Sequence, residues 1–141
     1  MFALSSLAHG QNPNLDAALA KSLGADEYGM KKYVFVVLKT GTYTPPRTTE
    51  RDSLFAGHME NINRLADAGK LVVAGPFSKN DDQFRGLFIL NVSTFEEANT
   101  LLSSDPAISS KMLESHLYTW YGSAALPEYL KVDDKIWSKK H

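Results

Sequence analysis

The chain has 141 residues, carries a formal net charge of -1 and contains no cysteine. This length is enough for a single domain with one ordinary core, and the balanced charge provides no basic surface for a nucleic-acid backbone. The lack of cysteine excludes disulfides, thiolate nucleophiles, zinc ribbons and the zinc-deaminase signature.

Residues 1–32 are predicted to be an N-terminal appendage. Residues 1–10 are a candidate remnant of an export signal, because residues 2–7 are mildly apolar and Ala8 and Gly10 are small, as a signal peptidase requires. We therefore expect a periplasmic or secreted protein. If residues 1–10 are not a signal remnant, we expect a cytoplasmic one. A short helix is predicted over 14–23, capped by Asn14 and followed by Gly24. No apolar stretch approaches the roughly 20 residues that cross a bilayer, so a membrane is not an expected partner.

Residues 33–122 are predicted to form the main domain, and residues 123–141 an irregular tail with one short turn. Hydrophobic periodicity and capping residues give the boundaries of the elements. The first elements are a central strand at 33–38, a long loop at 40–49 and a helix at 51–68 with Phe55, Ile62 and Leu65 facing inward. Strands follow at 71–74 and 86–92. A second helix is opened by Ser93 or Thr94, has Phe95, Ala98, Leu101 and Leu102 facing inward, and is broken by Asp105-Pro106 before a last strand at 116–121.

This β-α-β-β-α-β order is typical of the ferredoxin-like α+β fold with an antiparallel sheet. Two helices cover only one face of such a sheet, but the strands at 33–38 and 86–92 have apolar side chains for both faces. The uncovered face needs a partner. A homodimer in which two sheets pack face to face is the expected solution, because one self-complementary surface serves both subunits.

His58 is the most informative single residue. It follows Phe55 by three residues and precedes Ile62 by four, so it falls on the apolar stripe of the first long helix and points toward the sheet. An imidazole there can donate or accept a proton near neutral pH. It can also be a core histidine whose ring is satisfied by a backbone carbonyl, and the residue alone leaves both interpretations open.

Asp105 is the candidate partner of this histidine. Its carboxylate can accept a hydrogen bond from the ring N–H and orient the imidazole, as the third member of a catalytic triad does. The alternative is that Asp105-Pro106 only ends a helix through its turn chemistry. The two helices of this fold lie side by side, so contact between His58 and Asp105 is topologically feasible.

Arg47, Arg51 and Arg85 are the candidate substrate-binding residues. They flank the predicted loop and the third strand. A guanidinium there can hold the carboxylate of a small substrate through two parallel hydrogen bonds. The alternative is that these side chains are only solvated.

No metal site and no cofactor are predicted. His9, His116 and His141 show no metal-ligand spacing with acidic residues, and Glu60 lies on the helix face opposite His58. The stretch 85–92 has the outline of an RNA-recognition strand, but the positions that must carry base-stacking aromatic rings hold aliphatic residues. Nucleic acid is therefore not an expected partner.

Several stretches together resemble the YCII-related family over about 33–121. They are Val36-Val37-Leu38-Lys39, Gly57-His58-Met59-Glu60-Asn61-Ile62, Ala68-Gly69-Lys70-Leu71-Val72-Val73-Ala74-Gly75-Pro76-Phe77, Arg85-Gly86-Leu87-Phe88-Ile89, Phe95-Glu96-Glu97-Ala98 and Ser104-Asp105-Pro106. The combination of a helix histidine, the glycine-proline run and the later Asp-Pro pair is more specific than any single piece.

The resemblance implies a dimeric α+β barrel with a His–Asp pair in a cleft, and these roles would fall on His58 and Asp105. It also implies a lyase or isomerase that transfers a proton on a small ring compound, as in the dehydrochlorination of a chlorinated hydroxyquinol. The N-terminal appendage, the Pro-Pro loop and the long tail depart from the family's plain pattern.

Two hypotheses follow. The first is a cofactor-free lyase or isomerase in which His58 moves a proton on a small organic substrate while Asp105 fixes the ring tautomer. The alternative is a non-catalytic dimer of the same fold that binds a small ligand or has a structural role. An open pocket at His58 would favour the first hypothesis, and a sealed apolar environment the second.

Overall fold

The computed structural model describes residues 12–139. The elements in chain order are α1 at Ala17–Ser22, β1 at Met30–Thr40, α2 at Thr48–Asp67, β2 at Leu71–Pro76, β3 at Phe84–Leu90, α3 at Phe95–Leu102, α4 at Pro106–Ser109, β4 at Leu113–Ser123, a 3-10 helix at Leu126–Tyr129 and α5 at Leu130–Asp133. The candidate signal remnant at 1–10 lies outside the described residues. No helix in the described part of the chain is long and apolar enough to cross a membrane.

Within residues 12–139 the strands form a four-stranded antiparallel sheet in the order β2-β3-β1-β4. β1 pairs with both β3 and β4, which confirms the prediction of a central first strand. The order and the antiparallel pairing confirm the ferredoxin-like α+β fold.

The main core lies between the sheet and the helices. Alternate residues of β1, namely Val34, Val36 and Leu38, point to this side and are almost completely buried. Leu65 of α2 and Leu102 of α3 pack against them. The period-two alternation of a strand therefore meets the helical stripes, and this burial is the main stabilisation of the domain.

Two predicted inward-facing aromatic residues are not core residues. Phe55 is 50% exposed and Phe95 is 46% exposed. Phe55 lies in the first half of α2, where the helix borders an open cavity, and Phe95 is the first residue of α3. Helical spacing gives the face of a residue, but it does not show where along the helix the core ends.

The helix starts also differ from the prediction. The cap of α1 is Asp16 and not Asn14, because Asp16 Oδ1 accepts a hydrogen bond from the Leu19 N–H at 2.9 Å. Thr94, one of the two predicted caps, does cap α3 by accepting from the Glu97 N–H. The Asp105-Pro106 pair ends the preceding helical segment and also begins α4, because proline fits the first turn of a helix.

The face of the sheet opposite the helices, called the far face below, carries a second buried cluster formed by Tyr33, Val72 and Ile89. The C-terminal tail covers part of it. Leu126 packs against this cluster, and the Tyr129 hydroxyl donates a hydrogen bond to the Val72 carbonyl. The 3-10 helix at Leu126–Tyr129 lies where the sequence predicted a short turn, and α5 lies where it predicted irregular structure.

Another part of the far face stays exposed. Tyr118 of β4 is 56% exposed and Trp120 is 36% exposed. They pair in register with Phe35 and Tyr33 of β1, so the four side chains lie on one face of the sheet. An aromatic patch thus remains beside the tail.

Candidate active site

His58 and Asp105 are in direct contact. His58 lies on the buried side of α2, and Asp105 is the residue that caps α4. The His58 Nδ1 atom is 2.6 Å from Asp105 Oδ2, and the two side chains are 9% and 0% exposed. The structure therefore brings together the two residues that the sequence marked as candidates for a catalytic pair.

The two carboxylate oxygens of Asp105 have separate partners. Oδ2 faces the imidazole, while Oδ1 accepts hydrogen bonds from the backbone N–H groups of Ala107 at 2.9 Å and Ile108 at 3.4 Å. The cap of α4 therefore fixes the carboxylate against rotation. With Asp105 ionised the carboxylate only accepts, so Nδ1 carries the ring proton and Nε2 is left as the basic atom.

Two aromatic rings hold the imidazole plane. The ring of Phe88 is stacked on that of His58 with centroids 5.9 Å apart, and the ring of Phe55 meets it edge-on at 6.0 Å. Phe88 comes from the middle of β3 and is 2% exposed, so its ring is a fixed surface. His58 is thus oriented by a carboxylate in its plane and by phenyl rings around it.

His58 lines a cavity of about 710 Å³ between α2, the sheet and the loop at 41–47. Phe55, Ile62 and Phe88 supply apolar walls. Ala74, Gly75 and Gly86 line the sheet side, where the small side chains leave room. The volume and the apolar lining are in the range of sites for small organic ligands.

The loop at 41–47 is fastened at its first residues. The Gly41 N–H donates to the Met112 carbonyl at 2.9 Å, and the Tyr43 N–H donates to the Lys111 carbonyl at 3.0 Å. A Cβ atom on Gly41 would come within 2.0 Å of that Lys111 oxygen, so glycine is required for this approach. The predicted loop therefore forms a wall of the cavity.

Tyr43 is a cavity residue that sequence reasoning missed. Its hydroxyl donates a hydrogen bond to the Glu50 carboxylate in the first turn of α2, and this bond raises the pKa of Tyr43 above its usual value of 10.0. The sequence signal that could have indicated Tyr43 as a cavity residue was a lone aromatic side chain in a proline-rich loop.

Two of the three predicted substrate-binding arginines lie at the cavity. Arg51 and Arg85 are among its lining residues. The Arg85 Nε–H donates to the Thr40 hydroxyl at 2.7 Å, whereas the Arg51 side chain is 57% exposed with only a 3.4 Å contact to Asp52. Arg47 is exposed at the N-cap position of α2, where its side chain makes no capping hydrogen bond, and it is not a lining residue.

The described residues that line the cavity include no aspartate or glutamate. Its ionisable lining side chains are those of Arg51, Arg85, His58 and Tyr43. This excess of positive charge favours an anionic ligand. In residues 12–139, no group of three or more His, Cys, Asp or Glu is arranged to hold a metal ion.

One of the comparisons with known proteins identifies a family. The model of the YCII-related domain matches residues 33–119, which is more than half of the chain. The comparison with curated proteins gives no significant match.

Among solved structures, the chain is similar to 5-chloro-2-hydroxyhydroquinone dehydrochlorinase from Burkholderia phenoliruptrix AC1100 in complex with 2,5-dihydroxybenzoquinone. The identity is 17%, the TM-score is 0.44, and the match covers 62% of this chain and 92% of that chain. At this level, the structural similarity carries no argument about fold or activity. The domain match over residues 33–119 shows that the chain belongs to the YCII-related family.

Proposed function

We propose that the protein is a cofactor-free enzyme of the lyase or isomerase type, in which His58 and Asp105 transfer a proton on a small anionic organic molecule. The observation that carries this proposal is the 2.6 Å contact between His58 Nδ1 and Asp105 Oδ2 beside a cavity that His58 lines. The family membership supports a small ligand at this place.

In the proposed reaction the Nε2 atom of His58 removes a proton from a C–H or O–H group of the substrate. The electron pair of that bond stays on the substrate. In an isomerase it shifts along the molecule, and the imidazolium returns the proton to another atom. In a lyase it expels an anionic leaving group, and the imidazolium proton is released to the leaving group or to water. The Asp105 carboxylate stabilises the imidazolium in both cases.

Arg51 and Arg85 are proposed to hold the negative charge of the substrate, which would be a carboxylate or a phenolate. The absence of carboxylates among the described lining residues supports this, because the only acidic contact of the two guanidinium groups in residues 12–139 is the exposed one between Arg51 and Asp52. Phe55 and Phe88 provide flat apolar surfaces near His58, which suits a ring compound. Arg47, which the sequence also suggested, would act only on the approach to the cavity.

The homodimer is part of this proposal. Its support is the exposed aromatic patch on the far face, where Tyr118 is 56% exposed although the strand is long and fully paired with β1. Large exposed apolar patches are uncommon on monomeric proteins. A second copy of the chain placed there would bury the patch by two-fold symmetry.

The alternative is a non-catalytic dimer that binds a small ligand or has a structural role. The cavity at His58 favours the enzyme, because a histidine with a purely structural role would be sealed in apolar packing with both ring nitrogens satisfied. Within residues 12–139, the hydrogen bond of the His58 ring is the one that Nδ1 makes to Asp105.

A screen of small phenols, carboxylic acids and lactones tests the proposal. Compounds that raise the melting temperature are assayed for turnover with the wild type and with His58→Gln, which removes the imidazole but keeps a polar side chain. We expect at least one anionic ring compound to be converted only by the wild type. Ligands that stabilise both proteins equally and are never converted would support the binding protein instead.

A further inference from the structure

We infer that Gly57 is a positioning residue, because its missing side chain lets Pro106 lie against α2 and this close approach holds Asp105 at hydrogen-bond distance from His58. The inference deepens the proposed function and rests on its His58–Asp105 pair. It comes from a matched order of residues on the two segments. Gly57 and His58 are neighbours on α2, and Pro106 and Asp105 are neighbours at the start of α4.

The space at position 57 is filled by the proline ring. A Cβ atom added to Gly57 would lie 2.4 Å from Cγ of Pro106 and 3.4 Å from its Cδ. Such a contact is ordinary only at 3.4 Å or more, so the helices would have to separate by about 1 Å. A proline ring cannot rotate away as a flexible side chain does.

Conformational freedom does not explain this glycine. Gly57 lies inside α2, and the glycines with positive φ between residues 12 and 139 are others, namely Gly24, Gly29 and Gly69. Glycine in a helix interior is less favourable than alanine. The space that it leaves for Pro106 is therefore the property that matters here.

A displacement of Pro106 would directly change the distance between Asp105 and His58. Pro106 follows Asp105 in the chain, and Asp105 holds the start of α4 through its Oδ1 atom. The contact between His58 Nδ1 and Asp105 Oδ2 is 2.6 Å, and such bonds weaken beyond about 3.2 Å. A shift of about 1 Å between α2 and α4 is thus enough to break it.

A second contact holds the other side of the pair. Ser104, which precedes Asp105, donates from its hydroxyl to Asn61 Oδ1 at 3.1 Å. Asn61 lies on α2 three residues after His58 and is 2% exposed. The run Ser104-Asp105-Pro106 therefore meets Asn61, His58 and Gly57 in that order. Because Ser104 is held, a clash at Pro106 would tilt the segment around Asp105.

The test compares Gly57→Ala, Pro106→Ala and the double variant with the wild type. The imidazole nitrogens are observed by NMR in uniformly 15N-labelled protein, with His58→Gln used to assign the His58 signals. In Gly57→Ala we expect loss of the Nδ1–H tautomer and of its hydrogen-bonded proton signal. In the double variant we expect both to return, because removing Cγ of Pro106 leaves its Cβ at 3.6 Å from the new methyl group.

Kinetics give a second readout once a substrate is known. We expect kcat of Gly57→Ala to fall at least tenfold with KM nearly unchanged, and the double variant to recover it. A Gly57→Ala protein with unchanged His58 signals would overturn the inference. So would a loss of the hydrogen-bonded His58 signal, or of kcat, that the added Pro106→Ala change does not reverse. An unfolded Gly57→Ala protein supports it only if the double variant folds with the bond present. If the double variant is also unfolded, the inference is wrong.

The NMR readout is independent of turnover. A His58–Asp105 bond that responds to Gly57 as expected, in a protein that converts no compound, would count against the proposed enzyme but not against the positioning role. Unchanged His58 signals in an active Gly57→Ala enzyme would count against the positioning role but not against the proposed enzyme.

Discussion

The imidazole of His58 lies nearly parallel to the phenyl ring of Phe88, with 21° between the planes and 5.9 Å between the centroids. Phe88 belongs to the main core, so this plane is fixed by the sheet. Asp105 fixes the direction within the plane. A ring held in this way loses little freedom when it takes up a proton, which favours fast proton transfer.

Asp105→Asn should leave the protein folded and lower turnover by about 10²–10⁴. The asparagine oxygen can still accept from the Ala107 N–H and cap α4. Its NH₂ group then faces Nδ1 as a donor, so the ring proton moves to Nε2 and the base is lost. Single-turnover rates and thermal melts on the same sample check this. Unchanged turnover would remove the catalytic role of the pair.

Asp105→Ala should be clearly less stable than Asp105→Asn. Loss of the cap of α4 costs about 0.5–2 kcal/mol. The buried Nδ1–H of His58 also loses its partner, which costs about 1–3 kcal/mol. Urea unfolding of the two variants gives the difference in the free energy of unfolding. Equal stabilities would mean that α4 does not depend on this carboxylate.

Arg51→Gln and Arg85→Gln should each raise KM, or Kd, for an anionic ligand about 10- to 150-fold, corresponding to the loss of one charge-assisted hydrogen bond of roughly 1.5–3 kcal/mol. Lys135→Gln in the tail is the matched control, since it removes one positive charge from a residue that does not line the cavity. Isothermal titration with the best anionic compound measures the effect. If the control weakens binding as much as the arginine variants, the net charge of the protein is responsible. Arg47→Gln should have a smaller effect than either cavity arginine.

The wild type should be a dimer at micromolar concentration by light scattering. Tyr118→Glu places a charge on the exposed part of the far face and should give a folded monomer, because burying an unpaired carboxylate is costly. Tyr28→Glu is the control, since Tyr28 is 77% exposed and precedes the first strand. A wild-type protein with the mass of one chain and an intact fold would contradict the dimer.

Stability should fall in acid partly through Asp26, which accepts hydrogen bonds from the Tyr121 hydroxyl and from the N–H groups of Tyr28 and Met30. These bonds, that of Tyr121 first, hold the pKa of Asp26 below its usual value of 3.8, and the same contact raises the pKa of Tyr121 to about 12. A carboxyl group with a lowered folded-state pKa stabilises the fold above its unfolded pKa and loses this contribution as the pH falls through the folded value.

The melting temperatures of the wild type and Asp26→Asn, measured from pH 7 to pH 2.5, test this dependence. The two proteins should differ most near neutral pH and converge in acid. A difference that stays constant over the whole range would exclude this carboxyl group as the source.

The fold was predictable because its signals are local. The apolar run at 33–38 marked the central strand, and Thr94 with Glu97 marked the start of α3. His58 and Asp105 were predictable as candidates, because helical spacing placed one toward the sheet and turn chemistry placed the other at a helix end. Their 2.6 Å separation was not predictable, because it depends on how closely two segments 47 residues apart in the chain approach each other.

The missed features have the same cause. Gly57 was visible only as the neighbour of His58, and its contact with Pro106 was not predictable, since Pro106 lies on another helix. Tyr43 and Phe55 border a cavity, and cavities arise where elements diverge, which periodicity does not record. The tail was predicted to be irregular with one short turn, and the packing of Leu126 on the far face had no local signal.

The hydrogen bond from the Tyr129 hydroxyl to the Val72 carbonyl engages a backbone group of the sheet edge. β2 is an edge strand, and edge strands expose backbone groups that can pair with the strand of another molecule. The pairing of β2 is irregular between Leu71 and Val73, and its last residue is Pro76. The Tyr129 hydroxyl already uses the backbone carbonyl of Val72, which lies between these two residues. The tail thus occupies one backbone acceptor of the β2 edge, and a chain ending at Ser123 would leave the Val72 carbonyl without this partner.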